Sequence, residues 1–264
     1  MIGFAVLIGQ YIALGKLPSL LIAILGFLSG FLISASIMIL NDYFDIDVDR
    51  INAPYRPLVS GEVGINTAIL SSIVYGIAGL LFAYILSISN LIIAVLFWIL
   101  GVLYDWRIKK LGFIGNVIVS LSVAIPFIYG GVSVSKLSLL LIIFSIIAFM
   151  SNMGRELIKG IADVKGDRIR GINTIAVKYG EGIAAILSTI FIISAILLSI
   201  LPYILSLVNR LYIIFIIIAD ILLIKAVISV SSNPNRINAI SAKNNILVAM
   251  LIGLVAFIVG SISY

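Results

Sequence analysis

Ser19–Leu40, SLLIAILGFLSGFLISASIMIL, runs without a charge straight into Asn41–Asp49, NDYFDIDVD. The first stretch is long enough, as a helix, to cross a hydrocarbon core, which needs about 20 apolar residues. The second crowds Asp42, Asp45, Asp47 and Asp49 against its end. Grouped acids repel one another unless a cation neutralises them. A membrane span that ends in an acidic cluster therefore reads as a helix carrying a cation site to a membrane face.

The rest of the chain repeats the apolar theme. Of its 264 residues 62% are hydrophobic and 11% charged, and mean hydropathy is +1.29. A soluble chain carries about 25% charged residues, so the sequence predicts an all-α, polytopic membrane helix bundle. Nine apolar segments fall at 2–14, 19–40, 65–88, 90–104, 113–133, 137–157, 180–206, 211–230 and 245–263. The first is short for a full crossing, so either its start lies upstream or other residues complete it. No cleavable signal pattern precedes it.

Polar connections alternate between long (41–64, 105–112, 158–179, 231–244) and short, which puts the long ones on one side. Arg50, Arg56, Arg107, Lys109, Lys110, Arg155, Lys159, Lys165, Arg168, Arg170, Lys178, Arg236 and Lys243 lie on or beside that side. Lys16, Lys136 and Arg210 lie on the other, and Lys225 falls within the eighth segment. The positive-inside rule assigns the long loops to the cytoplasm. The expected localisation is the cell membrane, with a central cavity open to the cytoplasmic face. A second acidic cluster, Asp163-Val164-Lys165-Gly166-Asp167, ends the sixth segment on the same side. The recurrence of span, acids and long loop points to one intramembrane domain with a weak two-half repeat, about 1–133 and 134–264.

The chain has no cysteine and no histidine. That excludes disulfides, thiolate nucleophiles and His-based zinc or haem sites. Oxygen ligands suit a hard cation such as Mg²⁺. If the helix continues through the first cluster, Asp42, Asp45 and Asp49 share one face, with Asn41 at its edge and Asp47 turned to water. Asp163 and Asp167, four apart, share another face. Two such faces would hold Mg²⁺ against a phosphate head, and Arg56, Lys109, Lys110, Arg155 and Lys159 would grip the remaining phosphate oxygens. Asp220, in mid-segment, is either functional or paired with Lys225 or a neighbouring helix. Gly26/Gly30, Gly76/Gly79 and Gly130-Gly131 read as close helix packing.

These residues resemble the UbiA superfamily of intramembrane prenyltransferases. Asn41, Asp42, Asp45 and Asp49 fill the family's NDxxDxxxD motif, and Asp163 and Asp167 its DxxxD-type motif. Arg56–Gly61 is similar to the RPLxSG loop, Tyr104 with Lys109-Lys110 and Gly115-Asn116 to the tyrosine–lysine–GN loop, and Arg155–Lys159 to the REIxK lead-in. The resemblance spans about the whole chain. It implies that the five motif aspartates hold Mg²⁺ and are catalytic. It also implies that Asn41, Arg56, Tyr104, Lys109, Lys110, Asn116, Arg155 and Lys159 bind substrate.

Arg50–Pro54 and the REIxK…GD block look most like the archaeal ether-lipid branch. That branch joins a geranylgeranyl group from its diphosphate to the hydroxyl of geranylgeranylglyceryl phosphate. Two departures stand out. Gly160 and Ala162 occupy positions where that branch often has acids, and the segment usual before the first helix is short. The implied partners are a prenyl diphosphate donor, a lipid-like phosphate acceptor and membrane lipids, with no nucleic acid and no obligate protein partner. An aromatic acceptor, for quinone or porphyrin-type products, is the alternative chemistry. A transporter would set its acids near mid-membrane, whereas here all but Asp220 lie at one face.

Overall fold

The computed structural model describes residues 2–169 and 171–262, with Asn52 described in its backbone alone. Arg170 and the end of the last predicted segment lie outside the described residues. The described chain is helical: α1 (Ile2–Leu14), α2 (Leu20–Phe44), α3 (Ile46–Asn52), α4 (Pro57–Ser60), α5 (Ile65–Leu86), α6 (Ile88–Trp106) and α7 (Phe113–Ser133) come first. They are followed by α8 (Leu139–Ile169), α9 (Ile175–Tyr179), α10 (Glu181–Ser199), α11 (Leu201–Ile204), α12 (Leu211–Ser232) and α13 (Arg236–Gly260). A short 3₁₀ turn, Ile108–Leu111, links α6 to α7.

Among the described residues eight helices are long and apolar enough to cross a membrane: α2, α5, α6, α7, α8, α10 with α11, α12 and α13. The ninth apolar helix, α1, has 13 residues and so spans about 20 Å, short of a ~30 Å hydrocarbon core. It docks on α7 at glycine distance. A Cβ on Gly9 would stand 2.3 Å from the Phe127 carbonyl oxygen, and one on Gly130 would stand 2.3 Å from that of Val6.

In lipid there is no hydrophobic drive between helices, so close packing and interhelical hydrogen bonds hold them together. α2 meets α5 through Ser36 and Ser72, whose hydroxyls are 3.0 Å apart. α12 meets α13 along Ala219, Leu223, Ala226 and Val230 on one helix and Ala239, Ala242, Ile246 and Ala249 on the other, all buried. That heptad-like spacing keeps two small-residue stripes in register. Gln10, fully buried, donates to the Ile22 carbonyl at 3.1 Å and to Ser133 Oγ at 2.8 Å.

Three boundaries differ from the sequence reading, each for a physical reason. α8 runs on to Ile169, twelve residues past the expected end at 157. Charge lowers hydropathy there, but the residues still form helix, and Leu157, Ile158, Ile161 and Ala162 remain buried on one side. α13 begins at Arg236 inside the expected 231–244 loop, capped by Asn235, whose side chain accepts from the Asn238 amide at 2.9 Å. The first acidic cluster is interrupted: α2 ends at Phe44, Asp45 leaves helical geometry (φ −100°, ψ 6°), and α3 restarts at Ile46.

Candidate active site

The break at Asp45 sorts the first cluster. Backbone bonds from the Asp45 amide to Asn41 and from the Asp49 amide to Asp45 keep the turn nearly helical. Asp42 and Asp49 therefore still face the same way, and both accept from Arg56 Nη1, at 2.9 and 2.7 Å. Arg56 reaches them from the end of a loop that Pro57 closes into α4, where Gly61 takes the left-handed conformation (φ 82°). Asp45 turns away to Lys109 Nζ. Asp47, with its side chain 92% exposed, pairs with Arg50 at 3.2 Å.

Four of the other candidates form two groups. Asn41 donates to Asp105 Oδ1 at 2.6 Å, and Tyr104, the preceding residue, lies within electrostatic reach of Asp105, Asp45 and Glu156. On α8, Arg155 Nη1 meets Glu156 Oε1 at 3.0 Å, and Lys159 Nζ lies 3.6 Å from Glu156 Oε2. Lys110 is exposed, and its carbonyl accepts from the Asn173 amide at 3.3 Å. Asn116 sits in the first turn of α7, its amide bonded to the Gly112 carbonyl. Asp163 and Asp167 lie half-buried in the last two turns of α8. Gly160 and Ala162 both face the packed side of α8, and a Cβ on Gly160 would meet Thr174 at 3.6 Å. Acids at those two positions would be buried. Among the described residues no three acidic side chains converge closely enough to share one metal ion.

Two residues that the sequence reading did not place in the site belong beside it. Asp105 is buried (3% exposed) although it opens the expected polar connection 105–112, and its Oδ2 has no partner among the described residues. Glu156, also buried, gathers Arg155 and Lys159. A lone acid between Tyr104 and Trp106 at the end of an apolar run was the available signal for the first. Asp220 accepts from Ser199 Oγ at 2.8 Å across to α10. No ion pair joins it to Lys225 among the described residues.

A cavity of about 340 Å³ opens beneath these groups. Asn41, Asp42, Arg56, Tyr104 and Asp105 line it, together with a mostly apolar set that includes Ile37, Met38, Phe97, Leu100, Val119 and Ile125 and the hydroxyls of Ser34 and Ser122. A second cavity of about 260 Å³ lies between α2, α4 and α5 and shares Asp42 and Arg56 with the first. A charged mouth over an apolar barrel, within a bundle of membrane-length helices, is the architecture of a multi-pass membrane protein that handles amphiphiles with an anionic head.

The chain belongs to the UbiA prenyltransferase family, whose profile matches residues 2–251, and it is a membrane prenyltransferase. It is 36% identical to the digeranylgeranylglyceryl phosphate synthase of Methanocaldococcus jannaschii over 97% of this chain and 90% of that protein. It also matches a solved structure described as giving insight into digeranylgeranylglyceryl phosphate synthase in membranes, with a TM-score of 0.90 and 35% identity over 99% of this chain and 93% of that one. A UbiA homolog from Archaeoglobus fulgidus, solved bound to DMAPP and Mg²⁺, shares the fold at a TM-score of 0.72 with 19% identity, covering 97% and 95% of the two chains.

Proposed function

We propose that the chain transfers a geranylgeranyl group from geranylgeranyl diphosphate to the hydroxyl of geranylgeranylglyceryl phosphate, forming digeranylgeranylglyceryl phosphate in archaeal ether-lipid synthesis. The observation that carries this is the cavity, in which Asp42 and Arg56 stand at the head of an apolar barrel. A diphosphate at the mouth places its prenyl chain among Phe97, Leu100 and Ile125. The names of the similar synthases favour the glycerol phosphate over an aromatic acceptor.

In this reading Asp42, Asp45, Asp49, Asp163 and Asp167 hold Mg²⁺ and are catalytic through it. The donor set fits. It is all carboxylate oxygen, and Asp42 and Asp49 already converge on one positive group, the Arg56 guanidinium. Bound Mg²⁺ supplies Lewis-acid neutralisation of the departing diphosphate. Arg56, Lys109, Lys110, Arg155 and Lys159 bind the phosphate oxygens of donor and acceptor, and charge-assisted bonds of this kind are about twice as strong as neutral ones. Tyr104, Asn41 and Asn116 orient the head groups. The apolar wall keeps water from the allylic carbon as its bond to the diphosphate loosens. The excess of basic residues on the long-loop side supports an active site facing the cytoplasm from the cell membrane. Membrane lipids surround the single domain with its weak two-half repeat, and no protein partner is required.

Membranes carrying the chain, given Mg²⁺ and geranylgeranyl diphosphate, are offered geranylgeranylglyceryl phosphate and an aromatic acid side by side. Mass spectrometry should find only the glycerol ether, and prenylation of the aromatic acid alone overturns the acceptor. Asp45→Ala or Asp163→Ala should abolish Mg²⁺-dependent transfer and leave membrane insertion intact. Full activity in both variants sinks the metal assignment.

A further inference from the structure

Asp105 stands at the junction of the cavity's two halves. Asn41, one residue before Asp42, fixes its Oδ1 at 2.6 Å, which leaves Oδ2 buried and without a partner among the described residues. An ionised carboxylate accepts hydrogen bonds only, and leaving a buried one half-satisfied is unfavourable. Such a vacancy beside a substrate cavity calls for a donor that arrives with the substrate. Asp105 lines the cavity, at the level where the Asp42–Arg56 mouth gives way to Leu100, Gly101 and Val119. In the proposed reading, a diphosphate held at the mouth brings the first carbon of its prenyl chain toward this part of the cavity. The attacking hydroxyl of the proposed acceptor then approaches that carbon. The terminal torsion of an aspartate is broad and two-fold, so either oxygen can be presented while the other keeps Asn41. The charged groups within electrostatic reach are Lys109, Asp45 and Asp42. With no histidine in the chain, the commonest base near neutral pH is absent.

We propose that Asp105 is the general base of the transfer, taking the proton of the acceptor hydroxyl. This rests on the reading of the reaction given above. As the allylic C–O bond to diphosphate breaks, diphosphate leaves with that electron pair. The acceptor oxygen forms the new C–O bond, and its proton passes to Asp105. General-base catalysis contributes about 10²–10⁴-fold.

The test compares Asp105→Asn with wild type, using purified full-length protein, Mg²⁺, geranylgeranyl diphosphate and geranylgeranylglyceryl phosphate. Asparagine keeps an oxygen for Asn41 and removes the base. The expected result is a kcat lowered about 100-fold or more, with the donor KM within threefold of wild type and loss of the acid limb of the kcat–pH profile. A purely structural role predicts the reverse, and a kcat within threefold of wild type across the pH range overturns the proposal. Asp105→Ala with added formate is the second arm. Restored turnover supports the base, and formate without effect on a folded variant counts against it. If wild type prenylates an aromatic acid and ignores the glycerol phosphate, the acceptor assignment falls. The same comparison run on the aromatic acid then decides Asp105.

Discussion

Replacing Gly112 by alanine puts the join between the two acidic halves of the site under a measurable load. Gly112 has φ 59° and ψ −106°, a region that side chains avoid. A Cβ there would stand 1.8 Å from the Asn173 carbonyl oxygen and 2.7 Å from its carbon. Ordinary contact is about 3.5–4.0 Å, so the 171–174 segment must retreat by roughly 2 Å. That retreat breaks the 3.3 Å bond from the Asn173 amide to the Lys110 carbonyl. Backbone strain of roughly 1–3 kcal/mol and overpacking of about 1–3 kcal/mol partly relieve one another, for a net loss of about 2–5 kcal/mol. Gly61 is the internal control. It too has positive φ, 82°, but nothing lies within 4 Å of its would-be Cβ, so Gly61→Ala carries only the left-handed penalty of about 1–2 kcal/mol. Thermal unfolding in detergent should place Gly112→Ala well below Gly61→Ala, and prenyl transfer should fall with it because the turn bearing Lys109 and Lys110 is displaced. Equal melting temperatures for the two variants would refute the argument.

Arg56→Ala removes both contacts to Asp42 and Asp49. A charge-assisted bond is worth about 1.5–3 kcal/mol. Arg56 is 41% exposed, so screening reduces a comparable contact to the proposed diphosphate to about 1 kcal/mol, equivalent to a roughly fivefold rise in the KM for prenyl diphosphate. Unchanged KM and kcat remove the residue from the site. Asp47→Asn, outside the mouth and nearly fully exposed, should leave transfer kinetics within about twofold and melting unchanged. A tenfold loss there would bring Asp47 into the site.

Hydropathy located the apolar segments because a helix facing lipid must be apolar almost all round, and that is a property of composition alone. It failed where charge and helix coexist. Lys159, Asp163 and Asp167 lower the hydropathy of α8 without ending it, and Lys243 does the same near the start of α13. The helical spacing of the first cluster foresaw the Asp42–Asp49 face and the exposure of Asp47. The turn at Asp45, which delivers that acid to Lys109, depends on contacts across 64 residues of chain and leaves no local pattern. Asp105 was hidden by its neighbours: between Tyr104 and Trp106 it reads as the ragged end of a span, and its Asn41 partner lies on a different helix.

The length of α8 has a mechanical consequence. Its 31 residues make a rod of about 46 Å, roughly 16 Å longer than the hydrocarbon core it crosses. Most of it is clamped on its sides by α7, α10 and α13, so it has little freedom to tilt. The rod therefore works as a ruler standing in the bilayer, with Asp163 and Asp167 near its tip. Bilayer thickness then sets how far those two acids stand above the headgroup plane, and turnover in vesicles of graded acyl-chain length should pass through an optimum that detergent micelles do not show.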